Sequence, residues 1–229
     1  MASRTSTLAN LAHSGIAAAR FAMRGLLLAC VCAIASVVIS DLVSHAAAEV
    51  RIGGVAPAFT GTDSRGKTEA LADYHGKYVV LEWHNQGCPY TRKHYVSGNM
   101  QALQKDWTAK GVVWFTVISS APGSQGYVTP FQENQYLSQM HAVPTAVLLD
   151  SDSKIARLYN AKTTPQMIVI DPYGKVIYDG AIDNRPTTDP DDIKDADNYV
   201  SDALSAAMAG RPVQTAFTRP YGCAVKYSD

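Results

Sequence analysis

The chain has 229 residues, with 20 basic and 20 acidic side chains, so its formal net charge is zero. That balance excludes the strongly basic surface of a nucleic-acid binder, and no nucleic-acid partner is expected. A 47% hydrophobic composition is enough for one ordinary core, and four cysteines raise the question of thiol chemistry.

Residues 1–48 read as targeting sequence. Arg4, Arg20 and Arg24 precede the uncharged stretch Gly25–Ile39, and Ala46-Ala47-Ala48 supplies the small-residue cleavage pattern ahead of Glu49. The stretch is short beside the roughly 20 apolar residues of a membrane span. Cleavage after Ala48 is therefore expected, with retention as an N-terminal membrane anchor as the alternative; only then is the membrane a partner. Either reading delivers residues 49–229, as one domain, to a periplasm or another exported location. Cys30 and Cys32 lie in the leader, which leaves Cys88 and Cys223 in a compartment where disulfides persist.

From Arg51 the sequence shows short extended pieces, with a turn at Asp63-Ser64-Arg65-Gly66-Lys67. Leu71–Gly76 reads as a loop or a single helical turn. Tyr78–His84 reads as a buried central strand, since Val79, Val80, Leu81 and Trp83 leave little room for a polar face. The strand stops at Gly87-Cys88-Pro89. Pro89 suits the first turn of a helix, where its missing N–H is no loss. Ser97-Gly98-Asn99 breaks or kinks that helix, and Met100, Leu103 and Trp107 then form a core-facing stripe. Val112–Ser119 is a second buried strand, so strand, helix and strand make a right-handed parallel crossover.

Ala121–Val128 is a glycine-rich loop, and Thr129-Pro130-Phe131-Gln132 carries a capping-box helix start running to about Met140. Thr145–Asp150 predicts a short strand, and Ile155, Leu158 and Tyr159 a helical face ending near Asn160. Thr163-Thr164-Pro165-Gln166 leads into a hairpin, Met167–Asp171 and Lys175–Tyr178, turned by Pro172-Tyr173-Gly174. Asp183–Asp197 is acidic and reads as a solvated loop, lacking the ligand spacing of a calcium loop. Val200, Leu204, Ala207 and Met208 define a last helix before Gly210 and Pro212, and the tail carries Tyr221-Gly222-Cys223-Ala224-Val225-Lys226-Tyr227.

The residues around the Gly-Cys-Pro turn point to thiol chemistry. Cys88 stands where a strand gives way to a helix, and free backbone N–H groups there stabilise a thiolate. Arg92, Lys93, His84 and His94 are neighbours able to lower the thiol pKa. Tyr90 is a candidate for framing a substrate cleft. His84-x-x-x-Cys88 has a copper-site spacing, but one soft thiolate with imidazoles suits Cu(I) poorly, so no metal is expected.

The order of elements resembles the thioredoxin fold, in its redoxin branch, the alkyl hydroperoxide reductase/thiol-specific antioxidant (peroxiredoxin-like) family. The matching pieces are Ala56-Pro57-x-Phe59, Gly76-Lys77-Tyr78-Val79-Val80-Leu81 into the cysteine turn, Asn85-Gln86-Gly87-Cys88-Pro89-Tyr90-Thr91, Thr164-Pro165, and the terminal Gly222-Cys223-Ala224-Val225-Lys226-Tyr227. The resemblance implies an α/β fold: a central mixed β-sheet with helices on both faces and an N-terminal β-hairpin. It also implies that Thr164-Pro165 is cis, faces Cys88 and receives an extended substrate along its backbone.

Two positions depart from the family patterns. Thr91 stands where dithiol thioredoxins carry their second cysteine, and could hydrogen-bond the Cys88 thiolate. Asn85 stands where typical peroxiredoxins carry a peroxide-binding threonine. The expectation is an exported thiol oxidoreductase with Cys88 as nucleophile and no cofactor, and with Cys223 as resolving cysteine, a static disulfide or an unpaired thiol being the alternatives for Cys223. It would act on a protein thiol or disulfide, or a small peroxide, with a thiol electron donor. The alternative is a non-catalytic thioredoxin-fold module that binds a client protein or a metal.

Overall fold

The computed structural model describes residues 50–229, and the leader expected over 1–48 lies outside the described residues. β1 (Thr60–Thr62) and β2 (Thr68–Ala70) form a small antiparallel hairpin. Its turn closes because the Asp63 carboxylate accepts from the N–H groups of Arg65 and Lys67, at 2.9 and 2.7 Å. A single 3-10 turn over Leu71–Tyr74 follows.

β3 (Val79–Trp83) is buried along its whole length and occupies the middle of the main sheet. On one side it pairs in parallel with β4 (Val113–Ile118), which pairs in parallel with β5 (Ala146–Leu149). On the other side it pairs antiparallel with β7 (Gln166–Ile170), and β7 with β8 (Val176–Gly180). The order β5-β4-β3-β7-β8 makes a mixed five-stranded sheet.

Side chains alternate across β3 and build a core on each face of the sheet. Val79, Leu81 and Trp83 join Phe59, Phe115, Ile155 and Tyr159 on one side. Val80 joins Tyr95, Met100, Leu103, Trp107 and Leu204 on the other. Burying side chains such as Met100 and Leu103 contributes about 1.5–3 kcal/mol each, which anchors the helices carrying them.

Those helices are α1 (Pro89–Val96) and α2 (Asn99–Ala109), separated by Gly98 at φ +76°, as the Ser-Gly-Asn break predicts. α3 (Pro130–Met140) starts with the expected capping box between Thr129 and Gln132. α4 (Lys154–Tyr159) and α5 (Tyr199–Met208) complete the helices, and β6 (Thr163–Thr164) pairs antiparallel with β9 (Cys223–Ala224) near the chain end.

Three expectations need correction. In α4 the core-facing residues are Ile155, Ala156 and Tyr159, and Leu158 is exposed. In α5 the stripe is Val200, Ala203 and Leu204, while Met208 projects into solvent at the helix end. The acidic segment is not solvated throughout. Asp183 at its start is buried, accepting from Arg185 N–H and the Tyr221 hydroxyl, and Pro190–Asp195 is a 3-10 helix. Runs of charge are read as exposed because burying an unpaired carboxylate is costly, and here the tail supplies the partner.

Candidate active site around Cys88

Cys88 is the residue immediately before the first turn of α1, with an extended backbone (φ −84°, ψ 121°) and Pro89 at the first helical position. Its own N–H goes to Asn85 O at 3.0 Å, and its carbonyl accepts from Arg92 N–H at 2.8 Å. The sulfur is therefore aimed from a fixed turn, and Cys88 has no exposed surface.

Two other segments meet it. The Thr164–Pro165 peptide is cis, and Thr164 O accepts from the Cys88 thiol at 3.0 Å. The tail strand β9 lies against β6 with Cys223 opposite Thr164, and the Thr164 hydroxyl reaches Cys223 O at 3.4 Å. Both cysteines are free, and each acts on the ionisation of the other.

Burial of the Cys88 sulfur opposes ionisation, but hydrogen bonds outweigh it. They come from the Cys223 thiol, the Thr91 N–H, Thr164 and the Cys223 N–H, and they bring the Cys88 pKa below the ordinary thiol value. Cys223 goes the other way, pushed up to about 12 by burial and by its hydrogen bond and charge interaction with Cys88. The pair thus divides into a thiol ready to ionise and one that holds its proton.

Tail geometry depends on one glycine. At Gly222, φ is +131°, and an added Cβ would lie 2.0 Å from Thr164 O. Only a residue without a Cβ lets the strand approach this closely. On either side the tail is tied down. The Tyr221 hydroxyl donates to Asp183 Oδ1 at 2.5 Å, and the Tyr227 hydroxyl donates to Ala161 O at 2.7 Å.

The sequence-selected residues separate into those at the sulfur and those around it. Cys88, Cys223, Thr164 and Thr91 meet at the thiol, with Thr91 contributing its backbone N–H. The Thr91 hydroxyl is buried without a hydrogen-bond partner. Tyr90 packs against the Tyr221 ring, centroids 5.9 Å apart, and lines the cavity beside the tail. The Asn85 side chain holds the turn instead of the sulfur. It accepts from Gly87 N–H at 2.9 Å and donates to Gln125 O at 3.2 Å, a contact that Gly126 permits because a Cβ there would overlap the Asn85 amide.

The neighbouring basic groups have other surroundings. Arg92 is exposed, and its charge acts on Tyr136. Lys93 is buried and donates to Arg185 O at 2.6 Å. Burial and the nearby Lys93 ammonium push His94 down to about 3, so it is neutral at physiological pH. His84 packs edge-on against Tyr95 with centroids 4.7 Å apart, and neither of its ring nitrogens has a hydrogen-bond partner. What lowers the Cys88 pKa is thus a set of hydrogen bonds reached through the fold, not the run of cations beside it in sequence.

Sequence reasoning did not find Gly222, the Tyr221–Asp183 contact or Glu82. Glu82 is a buried carboxylate on β3, accepting from Tyr95, Gln104, Trp114 and Thr116 at 2.8–3.2 Å. A lone acid inside an apolar strand was its only signal in the sequence.

Comparison with known proteins agrees with this architecture. Residues 52–179, more than half of the chain, match the AhpC/TSA family. A curated relative, the thiol-disulfide oxidoreductase ResA of Bacillus subtilis (strain 168), is 27% identical over 157 residues, 69% of this chain and 82% of ResA. An uncharacterized conserved protein from Geobacillus kaustophilus superposes with a TM-score of 0.64 at 24% identity, covering 79% of this chain and 94% of that one. A hypothetical protein from Sinorhizobium meliloti 1021 gives the same TM-score at 20% identity, covering 79% and 96%. These two likenesses concern the fold.

Proposed function

Because this chain belongs to the AhpC/TSA family, we propose that it is an exported thiol–disulfide oxidoreductase with Cys88 as nucleophile and Cys223 as resolving cysteine. The observation that carries this reading is the pair of free thiols that meet at Thr164, which lies opposite Cys223 and accepts from Cys88, with their pKa values driven apart. Similarity to ResA, whose name states a thiol–disulfide oxidoreductase activity, supports the same class. Export rests on the charged, apolar and Ala-x-Ala succession at the N-terminus.

In this reading the Cys88 thiolate attacks one sulfur of a substrate disulfide and expels the other as a thiolate. The amide of Thr91 and the groups of Cys223 that hold the Cys88 charge also keep the nucleophile ionised. Cys223 then gives up its proton and attacks the Cys88 sulfur, and the second substrate thiolate leaves. The substrate gains two electrons, the protein holds a Cys88–Cys223 disulfide, and a thiol donor restores the dithiol. Thr164-Pro165 flanks the sulfur and would orient the substrate backbone once β9, which no covalent bond holds in the dithiol form, moves off the Thr163–Thr164 edge. The substrate class is a protein disulfide. Hydrogen peroxide is the second oxidant, favoured by the lack of exposed surface at Cys88, which suits a very small molecule.

The test is mass spectrometry of the full chain after exposure to a model protein disulfide or to hydrogen peroxide. A Cys88–Cys223 link forming within minutes, with a Cys223→Ser variant accumulating mixed-disulfide or sulfenic Cys88, is the expected result. If Cys88 alkylates only at alkaline pH and no link or adduct forms, the protein is instead a non-catalytic binding module.

A further inference from the structure

The two sulfurs are presented unequally to a partner. Cys88 has no exposed surface, whereas Cys223 is half-buried. The edge along which an extended partner would have to lie to reach Cys88 is already occupied, since Thr163 and Thr164 pair with Ala224 and Cys223. The tail does not hang loose over this edge, because Tyr221 and Tyr227 fix it on both sides of Cys223. Next to it opens a cavity of about 660 Å³, lined among others by Tyr90, Asn184, Arg219, Tyr221 and Gly222. The cavity thus reaches the tail at Gly222, one residue from Cys223.

We infer that the thiol donor reduces this protein through Cys223: its thiolate enters from the cavity, attacks the Cys223 sulfur of the Cys88–Cys223 disulfide, and displaces Cys88. This rests on the reading of Cys88 and Cys223 as a redox pair and adds which sulfur carries the partner. The S–S bond breaks, its electron pair goes to Cys88 as a thiolate, and a donor–S–S–Cys223 bond forms. The donor's second thiolate then attacks the donor sulfur of that bond and releases Cys223, which takes up a proton. The donor dithiol is oxidised to a disulfide, and the protein is returned to its dithiol.

The chemistry of the leaving group points the same way as the access. In thiol–disulfide exchange the sulfur of lower pKa departs faster. Cys88 is received as a thiolate by the Thr91 N–H and by Thr164, whereas burial raises the pKa of Cys223 and makes it the poorer leaving group. Attack at Cys223 expels the better leaving group, while attack at Cys88 would require displacing the tail and expelling the worse one. The direction is opposite to that of a dithiol site whose helix-start cysteine faces the partner.

The experiment uses the full chain oxidised to the Cys88–Cys223 disulfide, treated briefly with 2-mercaptoethanol, quenched in acid and alkylated with N-ethylmaleimide. Peptide mapping then reports which cysteine carries mercaptoethanol and which carries maleimide. The expected result is mercaptoethanol on Cys223 and maleimide on Cys88, in at least about tenfold excess over the reverse, in line with the leaving-group preference. An equal or reversed distribution overturns the inference while leaving the redox pair intact. Failure to obtain the Cys88–Cys223 disulfide in the first step overturns both.

Discussion

Replacing Gly222 by alanine tests whether the redox pair depends on the close approach of the tail. The added Cβ would sit 2.0 Å from Thr164 O and 2.7 Å from its carbonyl carbon, at φ +131°. Neither neighbour is a flexible side chain, so backbone must move. Strain at such a backbone conformation costs about 1–3 kcal/mol, and overpacking adds a cost of similar size. Because β9 is only two residues long, the tail should yield locally before the rest of the domain does. A local penalty of about 2 kcal/mol divides the ratio of closed to displaced tail by about 30. The assay follows Cys88–Cys223 bond formation under a small oxidant by mass spectrometry, with iodoacetamide labelling of Cys88 in parallel. Slower bond formation and faster Cys88 labelling are expected, with a Tm loss below the 2–4 °C per kcal/mol that a global cost would give. Wild-type oxidation and labelling rates in G222A would refute the argument that this contact holds the pair together.

Three further outcomes follow from the hydrogen bonds at and near the sulfur. Cys223→Ala removes a donor that lowers the Cys88 pKa, so the pH midpoint for Cys88 alkylation should rise; an unmoved or lower midpoint would count against the thiol–thiol bond. Thr91→Val should leave that midpoint in place, because the backbone N–H holds the thiolate and the hydroxyl has no partner. Losing a buried unpartnered hydroxyl should also cost little stability, so a large shift in either quantity would contradict this geometry. His94 is held near 3 in the folded chain, against an ordinary value of 6.5. Below pH 6.5 the unfolded chain binds a proton that the folded one refuses, so stability falls as pH drops from 6.5 toward 3. Denaturant titrations at pH 7 and 5 should show about 2 kcal/mol less of this loss in His94→Gln than in the wild type, at about 1.4 kcal/mol per pH unit; equal losses would remove His94 from the account.

Much of the architecture was legible because it is written in short-range rules. The near-continuous apolar run of β3, proline after a helix-start cysteine, the Thr129–Gln132 capping box and the Ser-Gly-Asn break each act within a few residues. The errors at Leu158, Met208 and Asp183 have a common source. Hydrophobic spacing and charge runs say which residues could face a core, but the neighbouring layer decides where that core ends and whether a carboxylate finds a partner.

The sequence by itself therefore determined the order of elements, the strand-to-helix position of Cys88 and the presence of a second cysteine near the chain end. It could not determine that the two sulfurs meet. That depends on Gly222 admitting the tail against Thr164, on Cys223 falling opposite Thr164 in the β6–β9 register, and on Tyr221 finding the buried Asp183. The thiolate's stabilisers were misread for the same reason. Sequence neighbours such as Lys93 and His94 are turned toward Arg185 and Tyr221, while the donors that reach the sulfur include groups of Cys223, brought there from the far end of the chain. Hydrogen bonds fade within a few ångströms, so only the tertiary fold decides which groups come close enough to act.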